Sequence, residues 1–586
     1  MDRRAFCQTA GSLGASSVLA PLSAEAASGF DRKPLDQHLD RLETFGMSGG
    51  AIICEGGRLV WSKACGWSDR SRGKRFDEKT AFNLASVTKP LTALVILKLV
   101  ERGQLGLETS LGAVLPETAE DKRAITIRQL LTHTAGLRRT TLSPNEPKER
   151  VDALRLINAA PLKTPPGGPF AYSNDGYRLL GAVVEAVTKL PFERALHDMV
   201  FAASGMTQSG VVQTYRPGHP GATIAHGYNE WSDLGTFVDH PVHSGWDHGA
   251  GEVAGTLTDV GKLILALASG SIVSHATLAA MMERRTETDD GPNVGYGYGW
   301  YVARTADGSP LIYHGGDNPG YHTELRYYPA SDRWIFVVVT NELYDESGTG
   351  LGVHKRRLAS DLSKLRNRAS SYAAPPDARP VGRAASTLRG DYVIEGGSDV
   401  LRLEHRDPRD LHVEAAALGQ GAVNAILNID PDDASRMETL NARTRTVVRA
   451  VAEGRTADLV VATGGVTFLA TAMTDSFNDW TRRLGRFRDL RSVTSAPYPF
   501  GDSMVRSFVR LDFQDGQSVL ELTWKGEALY ELLSDRGAPA EVMLPLALDP
   551  RGGLVGYDMV FGRTVPVAVA PGSITVAGRR FLRRTG

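Results

Sequence analysis

Cysteine is scarce in this chain, with three residues among 586. Cys7 lies in the N-terminal segment, whereas Cys54 and Cys65 lie on the two arms of a predicted hairpin. The hairpin turns at residues 56–57, so Cys54 faces Leu59 and Cys65 lies roughly 20 Å further along its strand. We therefore expect no disulfide between them. No Cys and His spacing matches a zinc site, and we expect neither a metal nor another cofactor.

An excess of charge of either sign is also missing. Lys and Arg together number 66, and Asp and Glu together number 67, which leaves a formal net charge of −1. The sequence contains no long run of Lys and Arg, so the chain offers no general positive field to attract polyanions. We therefore expect no nucleic-acid partner.

Long hydrophobic runs are missing as well, because no segment after the N-terminus offers about 18 uninterrupted apolar residues. The N-terminus itself resembles an export signal. Arg3 and Arg4 precede a mildly apolar stretch of small residues that ends at Ala24-Glu25-Ala26. We predict a twin-arginine signal peptide over residues 1–26 and a periplasmic or secreted protein without stable membrane insertion. A disordered cytoplasmic tail is the alternative interpretation.

Hydrophobic periodicity predicts an α/β (α+β) domain over residues 30–370. Its strand-like segments are a hairpin at 50–66 and a series between residues 296 and 341. Its helical patterns lie near residues 34–45, 126–132, 152–160, 175–200, 258–285 and 349–367. Strands at both ends of a helical region indicate one antiparallel sheet flanked by helices.

A second, β-rich part follows a linker at residues 371–386 that is rich in Pro, Ala, Ser and Arg. Short alternating strands predict antiparallel β-barrels in this tail. A faint sequence echo between residues 388–392 and 484–487 favours two barrels in tandem, over residues 387–480 and 481–586. A single β-domain is the alternative.

Ser86 and Lys89 are the first candidate catalytic residues, because they stand three positions apart where an apolar helix begins. On a helix this spacing places both side chains on one face. A serine hydroxyl needs a base to become a nucleophile, and a lysine serves as one if its surroundings lower its pKa. The alternative is that Ser86 only caps the helix. A second match to this spacing, Ser71 and Lys74, lies in a charged turn without an apolar helix behind it.

Two further segments carry side chains suited to the same chemistry. Tyr172-Ser-Asn174 precedes an amphipathic helix. The phenol of Tyr172 can relay protons if cationic neighbours lower its pKa, and the amide of Asn174 can hold a substrate amide. The alternative is an aromatic residue packed at a helix start, with Asn174 as the N-cap. His314-Gly315-Gly316 ends an apolar strand, and the paired glycines indicate close approach of a ligand or another backbone. We expect the His314 ring to donate to the Tyr172 phenolate or to a substrate carboxylate. His243-Ser-Gly245 is a competing motif, but no strand pattern surrounds it.

These three motifs, in this order, resemble those of the serine β-lactamase and penicillin-binding protein superfamily. The resemblance covers about residues 30–370 and includes the stretches at 130–137 and 249–263. It is specifically to the branch of class C β-lactamases, D-alanyl-D-alanine carboxypeptidases, related esterases and D-aminopeptidase. It implies a β-lactamase-like fold and acyl transfer through an acyl-enzyme.

The resemblance also implies a role for each motif residue. Ser86 attacks a carbonyl carbon, and Lys89 and Tyr172 share the general-base and general-acid steps. His314 is the fourth catalytic residue and helps to position the substrate, and Asn174, Gly315 and Gly316 form the substrate-binding set. The backbone amides of Ser86 and Asp317 stabilise the oxyanion.

The third motif departs from the Lys-Thr-Gly of class C β-lactamases and is similar to that of D-aminopeptidase and several esterases. We therefore expect a peptidase or amidase acting on small peptides that contain D-amino acids, or on peptidoglycan fragments. An esterase or β-lactamase with the same site is one alternative, and a non-catalytic penicillin-recognising or scaffold protein is another. In D-aminopeptidase a loop from the second barrel reaches the active site. Candidate loops here are residues 534–540 and 549–553.

Overall fold

The fold is described from a computed structural model, which leaves several segments of the chain outside the description. The described residues are 30–137, 150–216, 223–229, 232–239, 248–288, 293–305, 307–342, 355–382, 387–405, 413–427, 429–455, 467–497, 504–526, 528–534, 542–558 and 562–584. The predicted signal peptide at residues 1–26 and the competing motif at 243–245 lie outside the described residues.

Strands from both ends of the N-terminal domain build its central sheet. The strands of this domain are β1 (Gly49–Glu55), β2 (Arg58–Cys65), β3 (Trp67–Asp69), β4 (Lys74–Arg75), β5 (Phe82–Asn83), β6 (Gly210–Val211), β7 (His226–Asn229), β8 (Ser232–Thr236), β9 (Val253–Gly255), β10 (Thr286–Glu287), β11 (Gly295–Tyr296), β12 (Tyr301–Arg304), β13 (Pro310–Asn318), β14 (Tyr321–Tyr328), β15 (Arg333–Val339) and β16 (Asn341–Glu342). Eight of them form one sheet in the order β10-β11-β12-β13-β14-β15-β1-β2. All neighbours in this sheet are antiparallel, as predicted.

The predicted hairpin is confirmed in its register. Cys54 pairs with Leu59, and Cys65 pairs with Gly49 at the far end of the hairpin. Both cysteines are buried and free, which agrees with the expected absence of a disulfide between them.

Helices cover both faces of this sheet. The helices of the domain are α1 (Lys33–Thr44), α2 (Thr88–Glu101), α3 (Leu111–Val114), α4 (Ile127–Leu131), α5 (Arg150–Ala159), α6 (Asn174–Thr188), α7 (Phe192–Leu196), α8 (Ala202–Ser204), α9 (Leu257–Ala268), α10 (His275–Met281) and α11 (Lys355–Arg366). Ile52 of β1 joins the core with α2, α6 and α9, whereas its neighbour Ile53 joins the core with α1 and α11. Because successive side chains of a strand point to opposite faces, the central strands are buried on both sides.

The C-terminal region contains one closed barrel and an inserted helix-and-sheet unit. Its elements are β17 (Gly390–Ile394), β18 (Val400–His405), β19 (Val413–Leu418), α12 (Gln420–Ile426), α13 (Pro431–Ala452), α14 (Thr467–Leu484), β20 (Phe487–Pro497), β21 (Met504–Phe513), β22 (Gln517–Lys525), β23 (Ala528–Ser534), β24 (Val542–Leu548), β25 (Leu554–Asp558), β26 (Arg563–Ala570), β27 (Ser573–Val576) and β28 (Arg579–Arg583). The barrel is closed by β17-β18-β19-β24-β25-β26-β27-β28, and β20 to β23 form a separate four-stranded sheet. The expected pair of barrels over residues 387–480 and 481–586 is therefore corrected, because strands from both spans close the same barrel.

A sequence pattern that fits both a strand and a helix explains part of the difference between the predicted barrels and the structure. Residues 444–453 are rich in β-branched side chains and fit the pattern of a short strand, but residues 444–452 lie within α13 and Glu453 is its C-cap. Met437, Leu440, Val447 and Val451 are buried against the four-stranded sheet, at spacings of three, seven and four residues. This is the period of one helix face, and tertiary packing overrides the β propensity of valine.

The barrel packs on the face of the central sheet that carries α1 and α11. Phe45 follows α1, and its ring centroid lies 5.4 Å from that of Tyr557 on β25. Ala547, Val555 and Tyr557 of the barrel share a core cluster with Leu358 of α11. The loop at residues 549–553 joins β24 to β25, while residues 535–540 lie outside the described residues. Within the described part of the chain, no helix has the length and apolar character of a membrane span.

Replacing Tyr557 by alanine should loosen the barrel from the N-terminal domain. Tyr557 is 2% exposed, and truncating a buried aromatic residue costs about 3 kcal/mol. We expect a lower free energy of unfolding in urea and faster proteolytic cleavage of the linker at residues 371–382. Val569→Ala is the control, because Val569 is 46% exposed. Equal effects of the two substitutions would contradict this interface.

Candidate active site

Ser86 lies in a 3₁₀ turn, Ala85–Val87, immediately before α2 begins at Thr88. Neither the turn nor the helix has a side-chain cap at its N-terminus, so Ser86 does not act as the cap that the alternative interpretation required. Ala85 adopts a φ of +48°, which is strained for a residue with a Cβ, and its N–H donates to Asn83 Oδ1 at 2.6 Å. Such strain is typical of functional sites, where the surrounding fold holds it in place.

Lys89 is completely buried and donates to three oxygen atoms. Its Nζ lies 3.0 Å from Ser86 Oγ. The same atom lies 2.7 Å from Asn174 Oδ1 and 2.8 Å from the backbone oxygen of Ala250. The structure therefore brings the predicted nucleophile and base together, and it orients the amine by two further contacts.

The Tyr172 loop meets Lys89 at the start of α6. The N-cap of this helix is Ser173, whose side chain accepts from the N–H of Gly176, so the interpretation of Asn174 as the N-cap is wrong. Asn174 is the first helical residue, and its Oδ1 accepts from Lys89 Nζ. The Tyr172 ring centroid lies 4.8 Å from Lys89 Nζ, and Tyr172 is 38% exposed. Tyr172 is thus accessible to a substrate, whereas Lys89 is not.

His133 was not predicted as a site residue, although it lies in the stretch 130–137 that resembles the family. Its Nδ1 accepts from the N–H of Ser173 at 3.1 Å, and its backbone oxygen accepts from the N–H of Ala171 at 2.9 Å. The two residues that flank Tyr172 are therefore both held by His133. The His133 ring also packs on Tyr172, with 4.6 Å between centroids. A histidine before Thr-Ala-Gly, in an otherwise apolar segment, was the available signal.

The His133 ring is neutral. Burial, with the nearby Lys89 ammonium, lowers the pKa of His133 well below its usual range. Its Nδ1 carries no proton, because it accepts from Ser173, so the proton resides on Nε2. That Nε2 atom is buried without a hydrogen-bond partner.

His314 uses both ring nitrogens within the protein. Its Nδ1 lies 2.8 Å from the backbone oxygen of Gly315, and its Nε2 lies 3.0 Å from the hydroxyl of Tyr296. A carbonyl oxygen only accepts, so Nδ1 carries the proton and Nε2 accepts from Tyr296. The expected donation from His314 to the Tyr172 phenolate or to a substrate carboxylate is therefore not made in this arrangement. Burial and the Lys89 ammonium lower the pKa of His314 to about 3, so the ring carries no charge near neutral pH.

The strand end that carries His314-Gly315-Gly316 lies against the Ser86 turn. Strand β12 pairs with β13 only as far as Tyr313, so residues 314–318 have no partner strand on that side among the described residues. A Cβ on Gly316 would lie 2.3 Å from the backbone oxygen of Leu84. Only glycine permits this approach, which places the backbone of the predicted oxyanion donor Asp317 next to the Ser86 turn.

The arrangement supports nucleophilic catalysis by an alcohol. A partly exposed hydroxyl contacts a buried amine, and a phenol lies beside both. Within the described parts of the chain, no group of three or more His, Cys, Asp or Glu side chains is placed to hold a metal ion.

Comparison with known proteins agrees with this geometry. Residues 35–359, more than half of the chain, match the Beta-lactamase family model. The chain belongs to the Beta-lactamase family. It is therefore a serine hydrolase, and the resemblance inferred from the three motifs is confirmed.

Three similar proteins share between 20% and 34% sequence identity with this chain. Penicillin-binding protein 4* of Bacillus subtilis is 26% identical over 333 residues, which are 53% of this chain and 72% of that protein. Esterase EstB of Burkholderia gladioli is 34% identical over 224 residues, which are 35% of this chain and 54% of EstB. The structure of D-amino acid amidase from Ochrobactrum anthropi SV3 superimposes with a TM-score of 0.51 at 20% identity, over 58% of this chain and 100% of that chain. This last similarity shows a shared fold.

Replacing His133 by leucine should slow acylation of Ser86, because leucine lacks the Nδ1 atom that accepts from the Ser173 N–H beside Tyr172. Displacement of a catalytic group by about 1 Å costs up to about 10²-fold in rate. His133→Asn should retain more of the activity, since asparagine tolerates the φ of +58° at this position and offers an acceptor oxygen. Rates of labelling by a fluorophosphonate measure the effect. Equal rates for the leucine and asparagine variants would contradict a role for the acceptor.

The neutral state of His314 should make the protein less stable in acid. Its pKa is about 3 in the folded protein and about 6.5 when unfolded, so the unfolded chain binds more protons between these pH values. Stability from this group is intact above pH 6.5 and is lost as the pH falls. From pH 7 to pH 5 the loss amounts to about 2 kcal/mol, and His314→Gln should remove it. Urea unfolding at both pH values measures the difference, and equal losses in wild type and variant would contradict a neutral His314.

Proposed function

We propose that this protein hydrolyses small amides through an acyl-enzyme on Ser86. The observation that carries the proposal is the 3.0 Å contact between Lys89 Nζ and Ser86 Oγ at the start of α2. An unassisted serine is a weak nucleophile, so an amine held at this distance marks Ser86 as the candidate nucleophile.

The chemistry runs in two steps. Ser86 Oγ bonds to the substrate carbonyl carbon while its proton passes to the neutral amine form of Lys89 or to the phenolate form of Tyr172, and the Ser86 and Asp317 amides stabilise the oxyanion. The leaving amine takes a proton from the same pair as the carbon–nitrogen bond breaks. Water then attacks the ester carbon, and its proton returns to Ser86 through Lys89 or Tyr172. Acid, amine and free enzyme are the products.

The third motif supports substrates without a carboxylate at the cleaved end. A lysine in the first position of this motif would offer a fixed positive charge, whereas the neutral His314 offers none. Carboxypeptidase substrates and penicillins carry a carboxylate there. Short amides of D-amino acids do not, and the similarity of His-Gly-Gly to D-aminopeptidase favours them.

An esterase is the second candidate function. The missing positive charge suits neutral esters equally well, and EstB of Burkholderia gladioli is 34% identical over 224 residues. Ester cleavage also needs less help at the leaving group, because an alkoxide is easier to expel than an amine anion. A β-lactamase with the same site is a third candidate. The neutral His314 disfavours it, because penicillins carry a carboxylate that would need a positive charge.

We further propose that the protein is exported. The paired arginines at positions 3 and 4 and the small-residue exit near Ala26 support a twin-arginine signal and a periplasmic or secreted location. Peptidoglycan fragments, which contain D-amino acids, are then available as substrates.

A substrate panel tests the proposed function. D-alanine p-nitroanilide and L-alanine p-nitroanilide report amidase activity and its stereochemistry, nitrocefin reports β-lactamase activity, and p-nitrophenyl acetate reports esterase activity. We expect the D-anilide to be cleaved fastest relative to its L counterpart, and Ser86→Ala to reduce the rate by about 10⁴-fold or more.

Ser71→Ala is a matched control for this experiment. Ser71 precedes Lys74 by the same three positions, but its hydroxyl donates to Asp69 in a turn outside the site. This variant should keep the wild-type rate. A folded wild-type protein that cleaves no member of the panel and is not labelled by a fluorophosphonate would favour the non-catalytic scaffold instead.

A further inference from the structure

We call residues 314–318, at the end of β13, the oxyanion strand. A group of charged side chains lies behind it, on the sheet face that carries α11. We call Asp317, His322, Glu324, Arg326 and Lys355 the back-face cluster. Lys355 begins α11 and is 3% exposed. His314, which points to the opposite face, packs with the site described above.

Lys355 contacts the oxyanion strand at two points. Its Nζ donates to the backbone oxygen of Gly316 at 2.8 Å and forms an ion pair with the Asp317 carboxylate. His322 Nδ1 lies 2.7 Å from the other carboxylate oxygen of Asp317. The residue whose N–H is the predicted oxyanion donor is therefore held through both its carboxylate and the preceding carbonyl.

The cluster also accounts for the glycine in the middle of the third motif. A Cβ on Gly315 would lie 2.8 Å from Glu324 Oε2 and 3.2 Å from Lys355 Nζ. Glu324 is completely buried, and its Oε1 accepts from Arg326 Nε at 3.0 Å. The threonine that class C β-lactamases have at this position would collide with these charged groups. The back-face cluster therefore requires the glycine at position 315 in place of that threonine.

The Asp317 carboxylate poses an electrostatic problem for the reaction. It belongs to the same residue as the oxyanion donor, and a negative charge there opposes the negative charge that develops on the substrate oxygen. Burial of this region favours the neutral acid, yet Lys355 and His322 hold the pKa of Asp317 well below its usual range. The carboxylate is therefore ionised, and a cation is required beside it.

We propose that Lys355 is a positioning residue for acyl transfer, which holds the backbone of Gly316 and Asp317 from the back of the sheet and neutralises the Asp317 carboxylate. This inference rests on the proposed function. It assigns to α11, outside the three motifs, a part in stabilising the transition state.

Lys355→Met tests the inference by its separate effects on kcat and KM. Loss of one oxyanion donor costs about 10²- to 10³-fold in kcat, so we expect a fall of about 10²-fold in kcat with KM changed less than about threefold. The double variant Asp317→Asn with Lys355→Met removes both charges and should recover about tenfold relative to Lys355→Met alone. Lys364→Met is the control, because Lys364 lies on the same helix and is 37% exposed.

The outcomes separate the two proposals. Wild-type kcat in a folded Lys355→Met variant, with an active wild type, would overturn the role of Lys355 alone. Equal losses in the single and double variants would also overturn it, because a purely structural lysine would not be rescued by removing its partner charge. If Lys355→Met does not fold by circular dichroism, the double variant compared with Asp317→Asn gives the same decision. A wild type without any Ser86-dependent reaction would overturn the proposed function and this inference together.

Discussion

The site depends on the burial of one lysine among three oxygen acceptors. Lys89 Nζ contacts Ser86 in the turn just before its helix, Asn174 at 85 positions further along the chain and Ala250 at 161 positions further along. A buried ammonium without such partners would be strongly destabilising, so the fold must bring these segments together to accept the lysine at all. The same contacts fix the amine beside the serine hydroxyl. Stability of the domain and the proposed activation of Ser86 therefore rest on one set of hydrogen bonds.

Each face of the central sheet carries a different part of the candidate site. The face with α2 and α6 carries Lys89, Tyr172 and the neutral His314. The face with α11 carries the back-face cluster and, further along, the contact with the barrel. Strand β13 separates the two, and its paired glycines allow both sides to approach its backbone closely. This arrangement lets the oxyanion strand be held from behind while its free edge faces the nucleophile.

How far the sequence predicts this structure depends on the range of the contacts involved. The Ser86 and Lys89 spacing is local, and the hairpin register follows from its turn, so both could be predicted. His133 holds the Tyr172 loop across about 40 positions, and the neutral state of His314 depends on Tyr296 and on burial, which no local pattern reveals.

The closure of a single barrel could not be predicted either, because it also depends on contacts between distant segments. Strand β19 pairs with β24 across the whole inserted unit, and the valines of α13 satisfy a strand pattern as readily as a helical one.

The central role of Lys89 is tested most directly by measuring how fast p-nitrophenyl acetate acetylates Ser86. Rapid quenching followed by intact-protein mass spectrometry gives this rate. The wild-type protein and a folded Lys89→Met variant are compared at equal concentration and pH 7. Our account predicts that one acetyl group appears on the wild type within the burst and that the variant stays unmodified on that timescale. Acetylation of Ser86 in the variant at the wild-type rate would contradict the account.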